Sequence, residues 1–241
     1  MSVSHSHTTP VRVLQMDGAA LFLVSLGWGG KAYFESFNRV APDGTSTVTP
    51  LLIDVGLFSA FALHHSVLAR TSLKQRLHAW AGEAAERSLY VIVASLLYLL
   101  CCLAWQPLPG TWYAATGSWW WIGAAVQAAG VVVTLVAART LDLRGLMGLS
   151  PPRRPTGHDQ PLPLETRGLY GLVRHPIYFG WLLFVFGAPV MTSTRLTFAL
   201  VSVFYLVVAI PLEERSLVET FGEPYRHYQR QVRWRMLPGV Y

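Results

Sequence analysis

Long apolar stretches separated by short polar connections dominate the hydrophobic pattern of this 241-residue chain. A helix needs about 20 mostly apolar residues to cross the hydrocarbon core of a bilayer. Six stretches approach that length, at 18–37, 51–69, 88–106, 118–138, 177–191 and 195–212. The fifth is short, so the last two predict a helical hairpin whose ends lie at one membrane face. The predicted fold class is all-α: a polytopic integral membrane helical bundle with five to six spans, a C-terminal hairpin and a cytosolic C-terminal helix.

A single domain over residues 1–241 is expected, because the chain shows no 20–50-residue repeat and no linker long enough to separate soluble domains. Residues 1–140 would hold four spans, 141–176 a cytosolic loop, and 177–241 the hairpin and the C-terminal helix. The prolines between Asp142 and Thr166 disfavour a regular helix there. This loop either gates access to the hairpin or only connects two spans.

Composition and charge support the membrane interpretation and give an orientation. Hydrophobic residues make up 52% of the chain and charged residues 13%, which is typical of integral membrane proteins. With the N-terminus inside, 16 of the 19 Lys and Arg lie on the inner side, so both termini are expected in the cytosol. The net charge of +6 is divided among several loops. It fits contact with anionic membrane lipid and does not suggest nucleic acid as a partner.

Aromatic and sulfur-containing residues have mainly structural interpretations. Trp105, Trp112 and Trp119–Trp121 predict an interfacial belt at the outer face. Cys101 and Cys102 are neighbours within an apolar span, which favours packing over a disulfide or a zinc site. The histidines also lack a metal-binding spacing, so we expect no metal.

The chemistry-bearing residues concentrate at the two ends of the predicted hairpin. Arg174 and His175 come directly before Pro176, which suits the first turn of a helix. Free amides at a helix start favour an anion. Glu213 and Glu214 lie at the other end of the hairpin and suit an ammonium, a sulfonium or ribose hydroxyls. Either pair alone is common beside a membrane span, but together they predict a site for a ligand that carries both charges.

Ordered blocks in both halves of the chain resemble a known family. The C-terminal signature of the integral-membrane methyltransferases, which include isoprenylcysteine carboxyl and phospholipid methyltransferases, is matched by Arg174–Gly180, Glu213–Leu217 and Phe221–Tyr228. The N-terminal half is similar to the bacterial methanethiol S-methyltransferases, close to the NnrU-like branch, in Phe61–Arg70, Glu86–Val91 and Trp105–Pro107. The resemblance therefore extends over most of the chain.

The resemblance implies S-adenosylmethionine as methyl donor and a small thiol, methanethiol first, as acceptor, with dimethyl sulfide as product. It implies an enzyme of the bacterial inner membrane whose cofactor site faces the cytosol. The cofactor-binding residues it implies are Tyr170, Gly171, Arg174, His175, Tyr178, Glu213, Glu214, Tyr225 and Tyr228. The segment Gly168-Leu-Tyr-Gly171 departs from the tighter Gly-x-Gly of some family members, which weakens the case for backbone contact at Gly171.

A thiol is mostly protonated at neutral pH, so its deprotonation needs a base or the field of the sulfonium. The candidates for this catalytic role are His64, His65 and Glu86, and a histidine has the suitable unperturbed pKa. Snorkelling or capping at a helix end is the structural alternative for the histidines. Asp54, Phe58, Phe61 and His65 share one helix face, which forms either walls of an acceptor pocket or a packing surface.

Other functions remain open at this stage. A prenylated or lipid-like acceptor would need a lateral opening between helices, and a reductase on the same scaffold would bind nicotinamide nucleotide instead. A non-catalytic NnrU-like membrane protein or a small transporter would share the hydropathy pattern. The ionisable residues cluster at one face, which argues against transport. The sequence indicates no oligomeric state.

Overall fold

The computed structural model describes residues 8–68, 83–140, 144, 147–149 and 164–241. The helices in this part of the chain are α1 (Thr8–Phe34), α2 (Val48–Leu68), α3 (Glu83–Ala104), α4 (Ser118–Ala138), α5 (Pro176–Phe186), α6 (Ser193–Phe221) and α7 (Glu223–Gln231). The 3₁₀ turn Gly168–Gly171 precedes α5. The strands are β1 (Val40–Ala41), β2 (Leu108–Pro109), β3 (Thr111–Ala114) and β4 (Val190–Thr192). The helical class is confirmed, and the short strands, which the sequence analysis does not predict, add two small two-stranded sheets between the helices in this part of the chain.

Each of the six predicted apolar stretches overlaps one of the helices α1 to α6. In the residues described, four helices are long and apolar enough to cross a membrane: Val11–Phe34, Ala85–Ala104, Ser118–Ala138 and Ser193–Phe221. Val48–His64 and Pro176–Phe186 are shorter apolar helices. Five to six spans therefore remains a prediction, and α5 is short as expected.

The chain forms two compact units, Met1–Leu108 with Asp142–Arg153, and Pro109–Leu141 with Arg154–Tyr241. In the first unit, α1 and α2 both pack on α3. Asp54 of α2 is fully buried and its Oδ1 accepts a hydrogen bond of 2.7 Å from the Gln106 amide. Phe61 lies 5.6 Å from the Tyr98 ring of α3. The face of α2 that carries Asp54 and Phe61 is thus a packing surface.

Some of the tryptophans are exposed, as predicted, whereas Trp105 and both cysteines are buried. Trp112 and Trp119 are each 71% exposed, as an interfacial belt requires, but Trp105 is only 6% exposed and packs 5.3 Å from the Phe37 ring. Including Trp105 in the belt was therefore wrong, because its ring fills the interior of the first unit. Cys101 and Cys102 are buried, free cysteines, which confirms their packing role.

In the second unit, α4 and α5 cross at two glycines. A Cβ on Gly130 would lie 2.5 Å from the Phe184 amide nitrogen, and a Cβ on Gly180 would collide with Thr134 Oγ1. Gln127 Nε2 also donates to the Phe184 carbonyl at 3.0 Å. The absence of side chains at both glycines therefore lets the two helix backbones approach closely.

Helices α5 and α6 form the expected hairpin. Trp181 Nε1 of α5 donates to Ser202 Oγ of α6 at 3.0 Å, and its ring lies 5.8 Å from that of Phe198. Helix α5 ends at Phe186, and β4, which follows, pairs antiparallel with β3. Tyr113 Oη donates to the Ala188 carbonyl at 3.0 Å. The strand pairing and this hydroxyl supply hydrogen bonds to backbone groups beyond the end of the helix, as an apolar environment requires.

Two predictions are not decided by these observations. Most of the polar loop at 142–166, with its gating or connecting role, lies outside the described residues. The assignment of residues 1–241 to one domain, with internal boundaries at 140 and 176, also remains a prediction.

Candidate functional site

The segment before α5 is held by the chain that follows α7. Pro176 occupies the first turn of α5 and His175 is the N-cap, as the sequence predicts. The amides of Arg174 and His175 donate to the carbonyls of Trp234 and Arg235 at 2.9 and 2.8 Å. This pairing fixes the position from which the Arg174 and His175 side chains extend.

The Nε and Nη1 donors of the Arg174 guanidinium are bonded within the protein. Its Nε donates to Glu214 Oε1 at 2.6 Å, and the two side chains are only 7% and 6% exposed. Its Nη1 donates to the carbonyls of Val232 and Arg233 at 2.6 and 3.0 Å. Opposite charges from the two ends of the hairpin therefore meet, as the sequence predicts, but they compensate each other directly.

The Glu214 carboxylate has several further partners. Gln229 Nε2 donates to its Oε2 at 3.4 Å, and Arg235 Nε lies 3.3 Å from the same oxygen. His175 Nε2 lies 3.4 Å from Oε1. A buried carboxylate is tolerated only when such donors replace the lost water. Glu214 is thus the centre of the charged cluster, which organises the site before any ligand binds.

Glu213 differs from its neighbour in being accessible. Its side chain is 43% exposed, its Oε2 accepts a hydrogen bond of 2.9 Å from Tyr178 Oη, and His175 Nδ1 lies 3.6 Å away. The His175 and Tyr178 rings are parallel, with centroids 5.3 Å apart. Glu213 is consequently an oriented carboxylate that remains open to a cationic ligand.

Helix α7 folds back over this cluster. Gly222, with a φ of +65°, links α6 to α7. Tyr225 and Tyr228 are each 2% exposed, and their rings lie 5.7 Å apart. The predicted shared face of these two tyrosines is confirmed, and it points inward. Around it pack Leu164, Tyr170, Leu217, Val218 and Phe221.

The two tyrosine hydroxyls have different environments. Tyr228 Oη donates to the Tyr170 carbonyl at 2.7 Å. Tyr225 Oη is buried and has no hydrogen-bond partner among the residues the structure describes. Burial raises the pKa of both hydroxyls, and the negative charge of Glu214 raises that of Tyr225 further. Tyr225 thus presents a protonated donor with no acceptor among the described residues, which is costly unless a ligand supplies one.

The 3₁₀ turn Gly168–Gly171 supports the neighbouring helices α4 and α7. Tyr170 Oη donates to the Ala137 carbonyl at 3.4 Å and accepts from Thr140 Oγ1 at 3.3 Å, so its hydroxyl is used at the end of α4. Gly171 is exposed. Tyr170 therefore fastens the turn to α4, and its carbonyl fastens α7 through Tyr228.

The catalytic candidates belong to the first unit. The His64 ring stacks on Tyr90 with centroids 5.4 Å apart, and neither ring nitrogen has a hydrogen-bond partner in the described residues. Glu86 precedes Tyr90 by one turn of α3, is 5% exposed, and its Oε2 also lacks a described partner. The side chain of His65 lies outside the described residues.

The sequence analysis did not select three residues at this site. Arg235 and Gln229 contact Glu214, and Tyr241 contacts Arg235. Arg235 approaches Glu214 and also donates from Nη1 to Tyr241 Oη at 3.1 Å. The sequence signal was the basic pair Arg233 and Arg235 after α7, which had been used only for membrane orientation. A buried carboxylate on α6 needs cations from elsewhere, and Arg235 of this pair supplies one.

A cavity of about 350 Å³ lies at the other end of α5, between Tyr113, Trp119, Gly123, Phe186 and Pro189. It is separate from the charged cluster at Pro176. Its lining is apolar apart from Tyr113, whose hydroxyl is bonded to backbone carbonyls. It offers no group that would recognise a charged cofactor.

Comparison with known proteins assigns the family. The phospholipid methyltransferase family model matches residues 118–224. The methanethiol S-methyltransferase of Crocosphaera subtropica is 40% identical over 190 residues, covering 78% of this chain and 74% of that protein. Methanethiol S-methyltransferase 2 of Bradyrhizobium diazoefficiens is 32% identical over 223 residues, covering 88% and 82%.

The methanethiol S-methyltransferase of Pseudomonas deceptionensis is 36% identical over 200 residues, covering 78% of this chain and 73% of that protein. No solved structure matches the chain. The matches include the charged hairpin ends within residues 118–224, and the four long apolar helices fit an integral membrane protein. This chain is a methyltransferase and belongs to the methanethiol S-methyltransferase family.

Proposed function

We propose that the chain transfers a methyl group from S-adenosylmethionine to methanethiol and releases dimethyl sulfide. The relatives named above are methanethiol S-methyltransferases that match most of this chain, which supports the acceptor. The observation that carries the donor is the charged cluster of the second unit, in which Glu213 stays accessible while Glu214 and Arg174 compensate each other. We place the enzyme in a bacterial inner membrane, with this cluster and both termini in the cytosol.

The residues present fit a ligand that carries a positive charge and hydrogen-bond acceptors. Glu213 offers an oriented carboxylate for an ammonium or a sulfonium, and Tyr225 Oη offers a buried hydroxyl that lacks a described partner. The stacked rings of His175 and Tyr178 offer a flat apolar wall beside that carboxylate. We propose that these four residues contact the cofactor, with Arg174, Glu214, Tyr170, Gly171 and Tyr228 shaping the site around them.

When bound, S-adenosylmethionine supplies a methyl group on a positively charged sulfur, which a thiolate accepts directly. The first task of the residues of this chain is to position the reactants away from water. The charged cluster holds one reactant in a fixed place, which contributes the orientation on which such a transfer depends. The apolar helices exclude water, which favours a step in which opposite charges disperse.

Deprotonation of the thiol is the second task, and we propose it for the first unit. His64 has two buried ring nitrogens without described partners, and Glu86 has one such carboxylate oxygen one turn before Tyr90, the ring on which His64 stacks. Buried polar atoms without partners are costly, so a proton, water or thiol that satisfies them is favoured. A histidine can take the proton from the thiol sulfur near neutral pH. His65 stays a candidate for the same role.

The test is to incubate membranes that contain the protein with S-adenosylmethionine and methanethiol, and to measure dimethyl sulfide in the headspace by gas chromatography. Membranes without the protein and reactions without either substrate are the controls. Product that depends on both substrates supports the proposal. Binding of S-adenosylmethionine without product would overturn methanethiol as acceptor and direct the search to prenylated or lipid-like acceptors. No binding would overturn the proposed donor.

The residue roles have a separate test. His64→Ala and Glu86→Gln are expected to lower turnover about 100-fold if the residue acts as base, while the Kd for S-adenosylmethionine stays unchanged. Glu35→Gln is the matched control, because Glu35 is an exposed glutamate of the first unit. Unchanged turnover in both variants would remove His64 and Glu86 from the reaction and leave His65 as the remaining candidate.

A further inference from the structure

A proline lies inside the continuous helix α6, shortly before the charged cluster. Pro211 has no amide hydrogen, so the carbonyl of Val207 loses the helical donor that residue 211 would provide. Tyr241 Oη donates to this carbonyl at 3.3 Å. A side chain from outside the helix thus takes the place of the missing amide.

Tyr241 is itself held by Arg235. Arg235 Nη1 donates to Tyr241 Oη at 3.1 Å, and the guanidinium lies 5.2 Å from the centre of the Tyr241 ring. The main-chain oxygen of Tyr241 accepts from the amides of Met236 and Leu237 at 2.8 and 2.9 Å. We call Arg235 and Tyr241 together the Arg235–Tyr241 clamp.

The other end of the clamp reaches the cluster. Arg235 Nε lies 3.3 Å from Glu214 Oε2, and the Arg235 carbonyl accepts from the His175 amide at 2.8 Å. Direct contacts therefore connect Val207, on one side of Pro211, with Glu214, on the other side. A helix is prone to bend where a proline removes a backbone hydrogen bond, and the clamp spans this position.

We propose that the Arg235–Tyr241 clamp braces α6 across Pro211 and thereby positions Glu213 and Glu214 for the methyl-donor site. Arg235 and Tyr241 are then positioning residues, which act through the two glutamates. Without the clamp, the part of α6 that follows Pro211 would change its angle relative to α5. The carboxylate of Glu213 would leave its place beside Tyr178 and His175. This positioning role rests on the proposed function, whereas the bracing of α6 is independent of it.

The main test uses Tyr241→Phe, which removes one hydroxyl, with Val240→Ala as the matched control because Val240 is 73% exposed. Loss of one hydrogen bond is expected to raise the Kd for S-adenosylmethionine, measured by titration calorimetry, about fivefold. Amide hydrogen exchange of peptides that cover 205–216 in the ligand-free protein is expected to speed up. Val240→Ala should leave both measurements unchanged. Arg235→Gln should act like Tyr241→Phe, with Arg233→Gln as its control.

Pro211→Ala makes the test specific, because an alanine amide restores the helical donor for the Val207 carbonyl. In that background, Tyr241→Phe should change the Kd less than twofold, which a double-mutant cycle detects. An equal effect in both backgrounds would overturn the brace. A lower melting temperature with unchanged Kd and unchanged exchange would also overturn it, since this indicates a general structural role.

The test separates the two proposals. If the unmutated protein does not bind S-adenosylmethionine, the proposed donor and the positioning role both fail, and the exchange measurement still decides the brace. Faster exchange in Tyr241→Phe would then support the brace, and unchanged exchange would overturn it. If the unmutated protein binds and Tyr241→Phe matches Val240→Ala in Kd and exchange, only the clamp fails.

Discussion

Arg174 Nε donates to Glu214 Oε1 at 2.6 Å, and both side chains are almost completely buried. This ion pair joins the start of α5 to the end of α6. Because each charge is compensated within the protein, the pair shapes the site independently of a ligand. Glu213, the neighbour of Glu214, keeps an accessible carboxylate. The two adjacent glutamates therefore have different expected roles, and substitution distinguishes them.

Glu214→Ala is expected to lower the free energy of unfolding by about 3 kcal/mol, because it leaves the buried Arg174 without its counterion. Glu213→Ala removes a half-exposed carboxylate, so it should change stability little and weaken S-adenosylmethionine binding at least tenfold. Thermal unfolding in detergent and titration calorimetry measure the two effects. Equal losses of stability in both variants would contradict this division.

Tyr225→Phe and Tyr228→Phe form a matched pair on one helix. Tyr228→Phe removes the bond to the Tyr170 carbonyl and should lower the free energy of unfolding by about 1 kcal/mol. Tyr225→Phe removes a hydroxyl without a described partner and should leave the stability of the ligand-free protein unchanged or raised. Its effect should instead be weaker cofactor binding. A stability loss in Tyr225→Phe alone would show that its hydroxyl is bonded within the protein.

The α4–α5 crossing makes a prediction about packing. Gly130→Ala and Gly180→Ala each place a methyl group against the backbone or Thr134 of the facing helix. Each should destabilise the protein by about 2 kcal/mol, as overpacked sites do. Gly56→Ala on α2 is the control, since no atom of the described residues lies within 4 Å of its added Cβ. Its melting temperature should stay the same or rise, because alanine is the better helix former.

Gly222 tests the link between α6 and α7. Its φ of +65° and ψ of −133° are unfavourable for any residue with a Cβ, although no atom in the described part of the chain obstructs one. Gly222→Ala should therefore destabilise α7 by about 1–2 kcal/mol through backbone strain alone. Faster proteolysis within 223–231, with the hairpin intact, is the expected measurement. Resistance equal to that of the unmutated protein would show that the link tolerates a side chain.

Local signals predicted the helices and the location of the site well. Six apolar stretches gave α1 to α6, and Pro176 gave the start of α5, because both depend on neighbouring residues only. The short end of α5 at Phe186 also has a local cause, since Gly187 and Pro189 disfavour a longer helix. The strands β1 to β4 are too short to show an alternating pattern.

The sequence did not predict which side chains within the site bond to each other. The sequence placed Arg174 and Glu214 together, but either charge alone was equally consistent with ligand contact. Tyr225 and Tyr228 have similar sequence surroundings, and only the Tyr170 carbonyl distinguishes their hydroxyls. Tyr241 acquires its role from a carbonyl on α6 that Pro211 leaves available. Each of these outcomes depends on residues distant in sequence, which no local pattern specifies.

The two helices of the hairpin differ in length, and the longer one, α6, leads into α7. Helix α6 has 29 residues and α5 has 11, and α6 continues for seven residues beyond Glu214 before Gly222. At 1.5 Å per residue this extension is about 10 Å long, so it projects past the start of α5. Tyr225 and Tyr228 return from its end towards the cluster. The extra length of α6 therefore lets α7 reverse direction and bring Gln229 back into contact with Glu214.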